Sequence, residues 1–131
     1  MSRENVKTVC RLFDAVNRRD FDAASELLHE EVTWQPLISV EDDVQVGKEA
    51  VREAWERNVE AMGIRPRLDE CIAVGDDRVV VRVRFLALGD TSGLPLEVPA
   101  GQIYAVKDGR VISLKTYRSL EEALEAVGLR E

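Results

Sequence analysis

The chain is predicted to fold as an α+β domain in which a mostly antiparallel sheet bends around three N-terminal helices and is followed by one short C-terminal helix. Three observations predict this. Apolar residues recur at helical spacing as far as Met62, the period changes to two from Leu68 onward, and a helix-capping sequence follows the last alternating run. One domain, residues 1–131, is expected, because 131 residues at 45% hydrophobic and 33% charged suffice for a core that folds alone.

Val6, Val9, Cys10, Phe13 and Val16 form the stripe of the first helix, with Ser2 placed to cap it and Asn17 to Asp20 placed to stop and restart the chain. Asp20 caps a second, shorter helix with the apolar face Phe21, Ala24, Leu27 and Leu28, ending near His29. The run VTWQPL, from Val32, is then a strand. A polar loop of sequence ISVEDDVQVGKE leads to a third helix carrying Val51, Ala54, Trp55, Val59 and Met62, closed by Gly63 and Pro66. Leu68 to Val74 and Val79 to Leu88 alternate around Gly75-Asp76-Asp77 and read as a hairpin. Gly89 to Gly93 make a looser connection, and Pro95 and Pro99 mark an edge or a bulge because neither donates to a ladder. Strands 101–107 and 110–118 flank the turn Lys107-Asp108-Gly109-Arg110. Ser119 to Glu122 is a capping box, Leu120, Ala123, Leu124 and Val127 form the stripe behind it, and Gly128 ends the helix.

Charge and composition narrow the function. With 25 acidic against 18 basic side chains and a net charge of −7, the surface repels phosphate backbones and anionic headgroups, so neither nucleic acid nor a membrane is an expected partner. The N-terminus lacks an apolar signal region and no run is long enough to span a bilayer, which reads as a cytoplasmic protein. Cys10 and Cys71 have neither CxxC spacing nor a neighbouring histidine and read as small core residues, so no metal is expected.

The stretches LFDAVNRRDFDAASELLHEEVTW, VGKEAVREAW, VGDDRVVVRVRF and YAVKDGRVISLKTYRSLEEALEAVGL, in that order, resemble the nuclear-transport-factor-2-like superfamily, especially its SnoaL-like polyketide cyclase and ketosteroid isomerase branch. The resemblance covers nearly the whole chain and implies a cone-shaped sheet around a hollow. Ketosteroid isomerases use a carboxylate base, a tyrosine and a protonated aspartic acid. By that resemblance the three positions hold Gln35-Pro36, Leu12 and Gly101 here, none of which abstracts a proton or stabilises an enolate, so that mechanism is rejected. No cofactor is implied.

Individual residues carry two readings each. His29-Glu30-Glu31 is a solvated helix end rather than acid–base machinery, since adjacent helical positions do not share a face. Trp34 and Gln35 are either a pocket wall with one orienting amide or a core tryptophan beside a solvated glutamine. Val79, Val81, Val83 and Phe85 face the helices and the hollow, while Val80, Arg82, Arg84 and Leu86 face outward. In this superfamily the outer face often makes a homodimer, and Arg82 and Arg84 suit either that interface or an ordinary solvated face. Ile103, Leu114, Thr116 and Arg118 are expected to line the hollow, with Arg118 at its rim and Trp55 opposite, where Trp55 alternatively packs helix to sheet. Tyr104 and Tyr117 are possible hydrogen-bond donors. Glu70 shares parity with Leu68, Ile72 and Val74, which puts a carboxylate in apolar surroundings and makes it the candidate acid or base; a strand edge that lets it reach water is the alternative. Asp14 reads as the partner of Arg18, and Glu41-Asp42-Asp43 as a solvated loop rather than a metal site. Two functions follow: a domain whose apolar pocket binds a small hydrophobic molecule, or a cofactor-independent acid–base enzyme (cyclase, isomerase or hydrolase) acting on a polyketide-like or carbonyl compound.

Overall fold

The computed structural model describes residues 2–36, 44–88 and 95–128. The Glu41-Asp42-Asp43 loop and the Gly89–Gly93 connection lie outside them. Helices α1 (Ser2–Asn17) and α2 (Phe21–Glu26) lead into β1 (Leu28–Gln35); a two-residue strand β2 (Gln45–Val46) and α3 (Lys48–Met62) follow. Strands β3 (Arg65–Val74), β4 (Arg78–Leu88), β5 (Pro95–Lys107) and β6 (Arg110–Tyr117) come next, and α4 (Leu120–Ala126) ends the series. The six strands form one sheet in the order β2-β1-β6-β5-β4-β3. Every pairing is antiparallel except β1 with β6.

Local chemistry explains most boundaries. The Asp20 side chain accepts the Ala23 N–H at 3.1 Å and starts α2. Gly63 closes α3 in the left-handed conformation, with its N–H donating to the Val59 carbonyl at 2.9 Å. Ser119 accepts the Glu122 N–H at 3.1 Å, while the Glu122 carboxylate reaches one residue further back, to the Arg118 N–H.

Three boundaries differ from the expectation. Helix α2 ends before Leu28, because the Val111 N–H donates to the Leu27 carbonyl at 2.8 Å and Leu28 pairs with Val111. His29-Glu30-Glu31 therefore lies on a strand, where His29 Nδ1 accepts the Glu31 N–H at 3.0 Å, and no helix dipole acts on it. Gln45–Val46, expected in a loop, pairs with Thr33 and Trp34 of β1. Strand β5 begins at Pro95 rather than Gly101: among the described residues its 95–100 half pairs with β4 alone, since β6 joins only from Gly101, and proline is tolerated where one side is unpaired.

Both faces of the sheet are apolar near its centre, and each is covered. Helix α1 packs across β3, β4 and β6 on the inner face, and α3 packs on β1 and β2. The inner core includes Val9, Leu12, Val32, Val51, Val79, Val81 and Val83, all essentially inaccessible. Two asparagines fix the line of α1. Asn5 Nδ2 donates to the Asp76 carbonyl and Asn17 Nδ2 to the Pro66 carbonyl, each at 2.7 Å, tying the two ends of the helix to the turn after β3 and to the start of β3. On the outer face, α4 lays Leu120 and Ala123 over Val80, with Ile72, Val74 and Ile103 around them. That approach needs Gly101, where an added Cβ would lie 2.3 Å from the Ser119 carbonyl oxygen.

Beyond α4 the outer face is polar. A one-residue bulge in β3 between Leu68 and Glu70 makes Asp69 the extra residue. Asp69 grips Arg84 through two bonds, Nε to Oδ2 at 2.6 Å and Nη2 to Oδ1 at 2.9 Å, and Glu97 accepts from Arg84 Nη1 at 3.0 Å. The neighbouring Arg82 pairs with Glu70 at 3.4 Å. Both arginines of the outward row thus meet carboxylates from adjacent strands of their own chain.

Two stability predictions follow from this packing. Gly101→Ala forces the turn before α4 off the sheet and is expected to cost about 1–3 kcal/mol, read as a lower midpoint in urea unfolding. The hydrogen bond from Arg84 lowers the Asp69 carboxyl below its ordinary 3.8. Its stabilising contribution is therefore complete above that ordinary value and is lost as pH falls through the lowered folded value. Asp69→Asn should reduce the urea midpoint at neutral pH, and the difference from the unmodified chain should vanish in strong acid.

Candidate functional site

The helices do not fill the inner face. Between them and the sheet lies a cavity of about 200 Å³. Leu12, Phe13 and Val16 of α1 form one side, Trp55, Asn58 and Val59 of α3 another, and Trp34, Phe85, Leu114 and Thr116 belong to the sheet wall, with Ile64 and the prolines 36 and 66 also lining the space. The two tryptophans pack edge-on, with ring centres 6.1 Å apart and planes at 78°, so they make a wall rather than a plug. Phe13 and Tyr104 meet at 5.9 Å on the side of the inner core.

One polar chain crosses the apolar wall. The buried Tyr104 hydroxyl donates to Gln102 Oε1 at 2.8 Å, and Gln102 Nε2 donates to Thr116 Oγ1 at 3.2 Å. The inward parity of strands β5 and β6 sets this up, since Gln102 pairs with Thr116 and Tyr104 with Leu114. After these bonds, the second amide hydrogen of Gln102 and the hydroxyl hydrogen of Thr116 have no acceptor among the described residues. Burial, with a smaller contribution from nearby Cys71, raises the Tyr104 phenol well above its ordinary value and keeps it neutral. No lining residue among those described carries a charge.

The residues singled out from the sequence divide clearly. Leu12, Trp34, Trp55, Phe85 and Thr116 line the cavity. Val83 lies on the same inner face but is wholly buried behind the wall. Gln35 sits on the opposite face of β1 from Trp34, in register with Lys115. Ile103 corrects a simple equation of apolar with inward: Gln102 and Tyr104 point inward, so Ile103 faces outward, under α4. Arg118 is exposed beyond the end of β6 and does not reach the rim.

Glu70 is corrected as well. The bulge at Asp69 reverses parity, so Leu68 and Cys71 pack on the inner core while Ile72 and Val74 join the outer cluster, and Glu70 stands exposed on the outer face against Arg82. It lies outside the cavity. Gly101 likewise faces outward, and the cavity-facing neighbour is Gln102. Gln102 was not singled out; a glutamine at the inward parity of an otherwise apolar strand was the available signal. Cys10 is exposed rather than in the core, and Asp14 pairs with Arg18 at 3.2 Å. Among the described residues, no three His, Cys, Asp or Glu side chains are grouped to hold a metal, and no helix is long and apolar enough to cross a membrane.

No curated protein matches the chain in sequence. Similar solved structures include Bal32a from a soil-derived mobile gene cassette, 27% identical over 88% of this chain and 89% of that one, with a TM-score of 0.78. The epoxide hydrolase/cyclase-like enzyme SalBIII, which has a role in pyran ring formation in the polyether salinomycin, is 23% identical over 88% and 90% of the two chains, with a TM-score of 0.77. RV0760c from Mycobacterium tuberculosis, solved in complex with estradiol-17beta-hemisuccinate, is 18% identical over 87% and 92%, with a TM-score of 0.76. These likenesses fit the strand order and the helix-covered sheet described above. Residues 9–114 match the SnoaL-like domain, and with most of its length inside that match the chain belongs to the SnoaL-like domain family.

Proposed function

We propose that this SnoaL-like domain binds a small, neutral, mainly apolar molecule in the cavity, with a single acceptor oxygen of the ligand held by Gln102 and Thr116. The carrying observation is the pairing of an apolar enclosure with two unspent buried donors side by side on its wall. A carbonyl or ether oxygen satisfies both donors. An ion would have to shed its water with no opposite charge to meet, which makes a charged ligand costly.

Size limits the ligand further. An engineered apolar cavity of about 150 Å³ takes benzene, so about 200 Å³ accommodates one ring with a short substituent or a compact bicycle. A larger ligand extends through the mouth. That a structurally similar protein is held with an estradiol derivative supports an apolar occupant for this fold. Acid–base turnover has less support: the candidate base Glu70 is on the other face, and among the described residues Tyr104 is the only titratable group on the cavity wall. For a second copy as partner, the outer face offers its arginine end, beside the apolar patch of Val80 and Ile103 that α4 covers. Sedimentation of the purified chain tests that association, and a monomer at every concentration removes it.

Both of the chain's tryptophans line the cavity, so their emission reports on occupancy. Titration with a size series of neutral cyclic ketones is expected to change the emission saturably, with affinity peaking at one or two rings. The matched hydrocarbons should bind more weakly. Thr116→Val removes one donor at nearly constant volume and should weaken the ketone by about 2- to 12-fold, the worth of a neutral hydrogen bond of about 0.5–1.5 kcal/mol, while leaving the hydrocarbon unchanged. Absence of saturable binding across the series would sink the proposal; equal loss for ketone and hydrocarbon would remove the donor assignment.

A further inference from the structure

Of the α3 residues on the cavity wall, Trp55, Asn58 and Val59, only Asn58 carries a carboxamide. Asparagine is a poor residue for a helix interior, and an apolar residue there would complete the stripe that Trp55 and Val59 begin. The Asn58 side chain is half-buried, and its amide bonds to none of the described residues. No enclosed side-chain polar atom among the described residues lacks a partner, so this unbonded amide is accessible from the space it lines.

The pairings set Asn58 across the cavity from the Gln102 and Thr116 donors. Helix α3 starts beside Val32, whose carbonyl accepts the Gly47 N–H at 2.7 Å, and meets Trp34 at Trp55, so it advances in the same sense as β1. Strand β6 runs parallel to β1, with Leu114 paired to Trp34. Thr116 stands two residues beyond Leu114, about 6.6 Å along its strand. Asn58 stands three residues beyond Trp55, about 4.5 Å along its helix. Both polar groups therefore lie just past the tryptophan pair, one on the sheet wall and the other on the helix wall.

We infer that Asn58 is a second ligand anchor and that the ligand is a compact neutral hydroxyketone, its carbonyl oxygen held by Gln102 and Thr116 and its hydroxyl, at the far end of the ring system, by the Asn58 carboxamide. The inference rests on the ligand reading above. A hydroxyl suits this amide whichever way it turns, because it donates to Oδ1 or accepts from Nδ2. The side-chain oxygens of Gln102 and Thr116 already accept a bond each, so the sheet wall offers chiefly hydrogens and suits the carbonyl. Asn58 supplies the unengaged acceptor that the hydroxyl hydrogen needs. Two unlike anchors on opposite walls then fix which end of the ligand meets the sheet.

The test is calorimetric titration with four probes: cyclohexanone and 2-decalone, each with and without a hydroxyl on the ring carbon farthest from the carbonyl. With the unmodified chain, the hydroxylated member of at least one pair is expected to bind about 2- to 12-fold tighter, the worth of one neutral hydrogen bond. Asn58→Leu should reverse that preference, since the hydroxyl then meets apolar carbon, and should leave the plain ketones no weaker. Thr116→Val should weaken both members of a pair by the same factor. Leucine is the better helix former, so Asn58→Leu should melt no lower than the unmodified chain; where leucine is not accommodated, Asn58→Ala serves. Plain ketones that bind and respond to Thr116→Val, with no gain from the hydroxyl or a gain that survives loss of Asn58, would overturn the second anchor and leave the ligand reading standing. No saturable binding by any of the four would overturn both.

Discussion

A single extra residue in an edge strand governs how this domain is put together. Because Asp69 interrupts the pairing of β3 with β4, the strand presents Leu68 and then Cys71 to the inner core, and Ile72 and Val74 to the outer cluster. Without that interruption strict alternation would turn Ile72 and Val74 toward α1 and leave Cys71 and Ala73 facing α4. The displaced residue is itself used: its carboxylate neutralises Arg84 in the middle of the polar outer surface. Bulges also bend the strand that carries them, which helps an edge strand follow the helix it covers.

The cavity is what remains once two apolar sheet faces have been covered unequally. Outside, α4 lies close enough over Gly101 to seal Val80 completely. Inside, α1 and α3 leave a gap bounded by the two tryptophans, and the polar groups of its sheet wall are linked in sequence from Tyr104 through Gln102 to Thr116. Such a chain holds Gln102 in one orientation, because its oxygen is committed to Tyr104 and one of its hydrogens to Thr116. Orientation without charge favours recognition of a neutral molecule by shape and one oxygen.

The architecture was legible in the sequence because it rests on periodicity and caps: the stripe from Val6 to Val16, the Asp20 and Ser119 caps, and the turns at Gly75 and Gly109 all act locally. What sequence alone missed depends on pairing. The end of α2 is decided by Val111, more than eighty residues away, and β2 exists only because β1 lies beside it. Leu12, Trp34, Trp55, Phe85 and Thr116 reach the cavity from elements of regular period. Glu70 and Ile103 went astray for two different physical reasons. An unseen bulge reversed the first, and the second is apolar because a helix packed on the far side of the sheet requires it.

Among the described residues, residues 95–100 of β5 pair with β4 on one side only. A strand with one bare side invites another chain to add to the sheet, and that is how many folded proteins begin to aggregate. Pro99, in the middle of this stretch, brings no N–H to offer, and the exposed Glu97 beside it places a carboxylate on the same strand. The half-paired strand thus carries its own deterrent to a further strand.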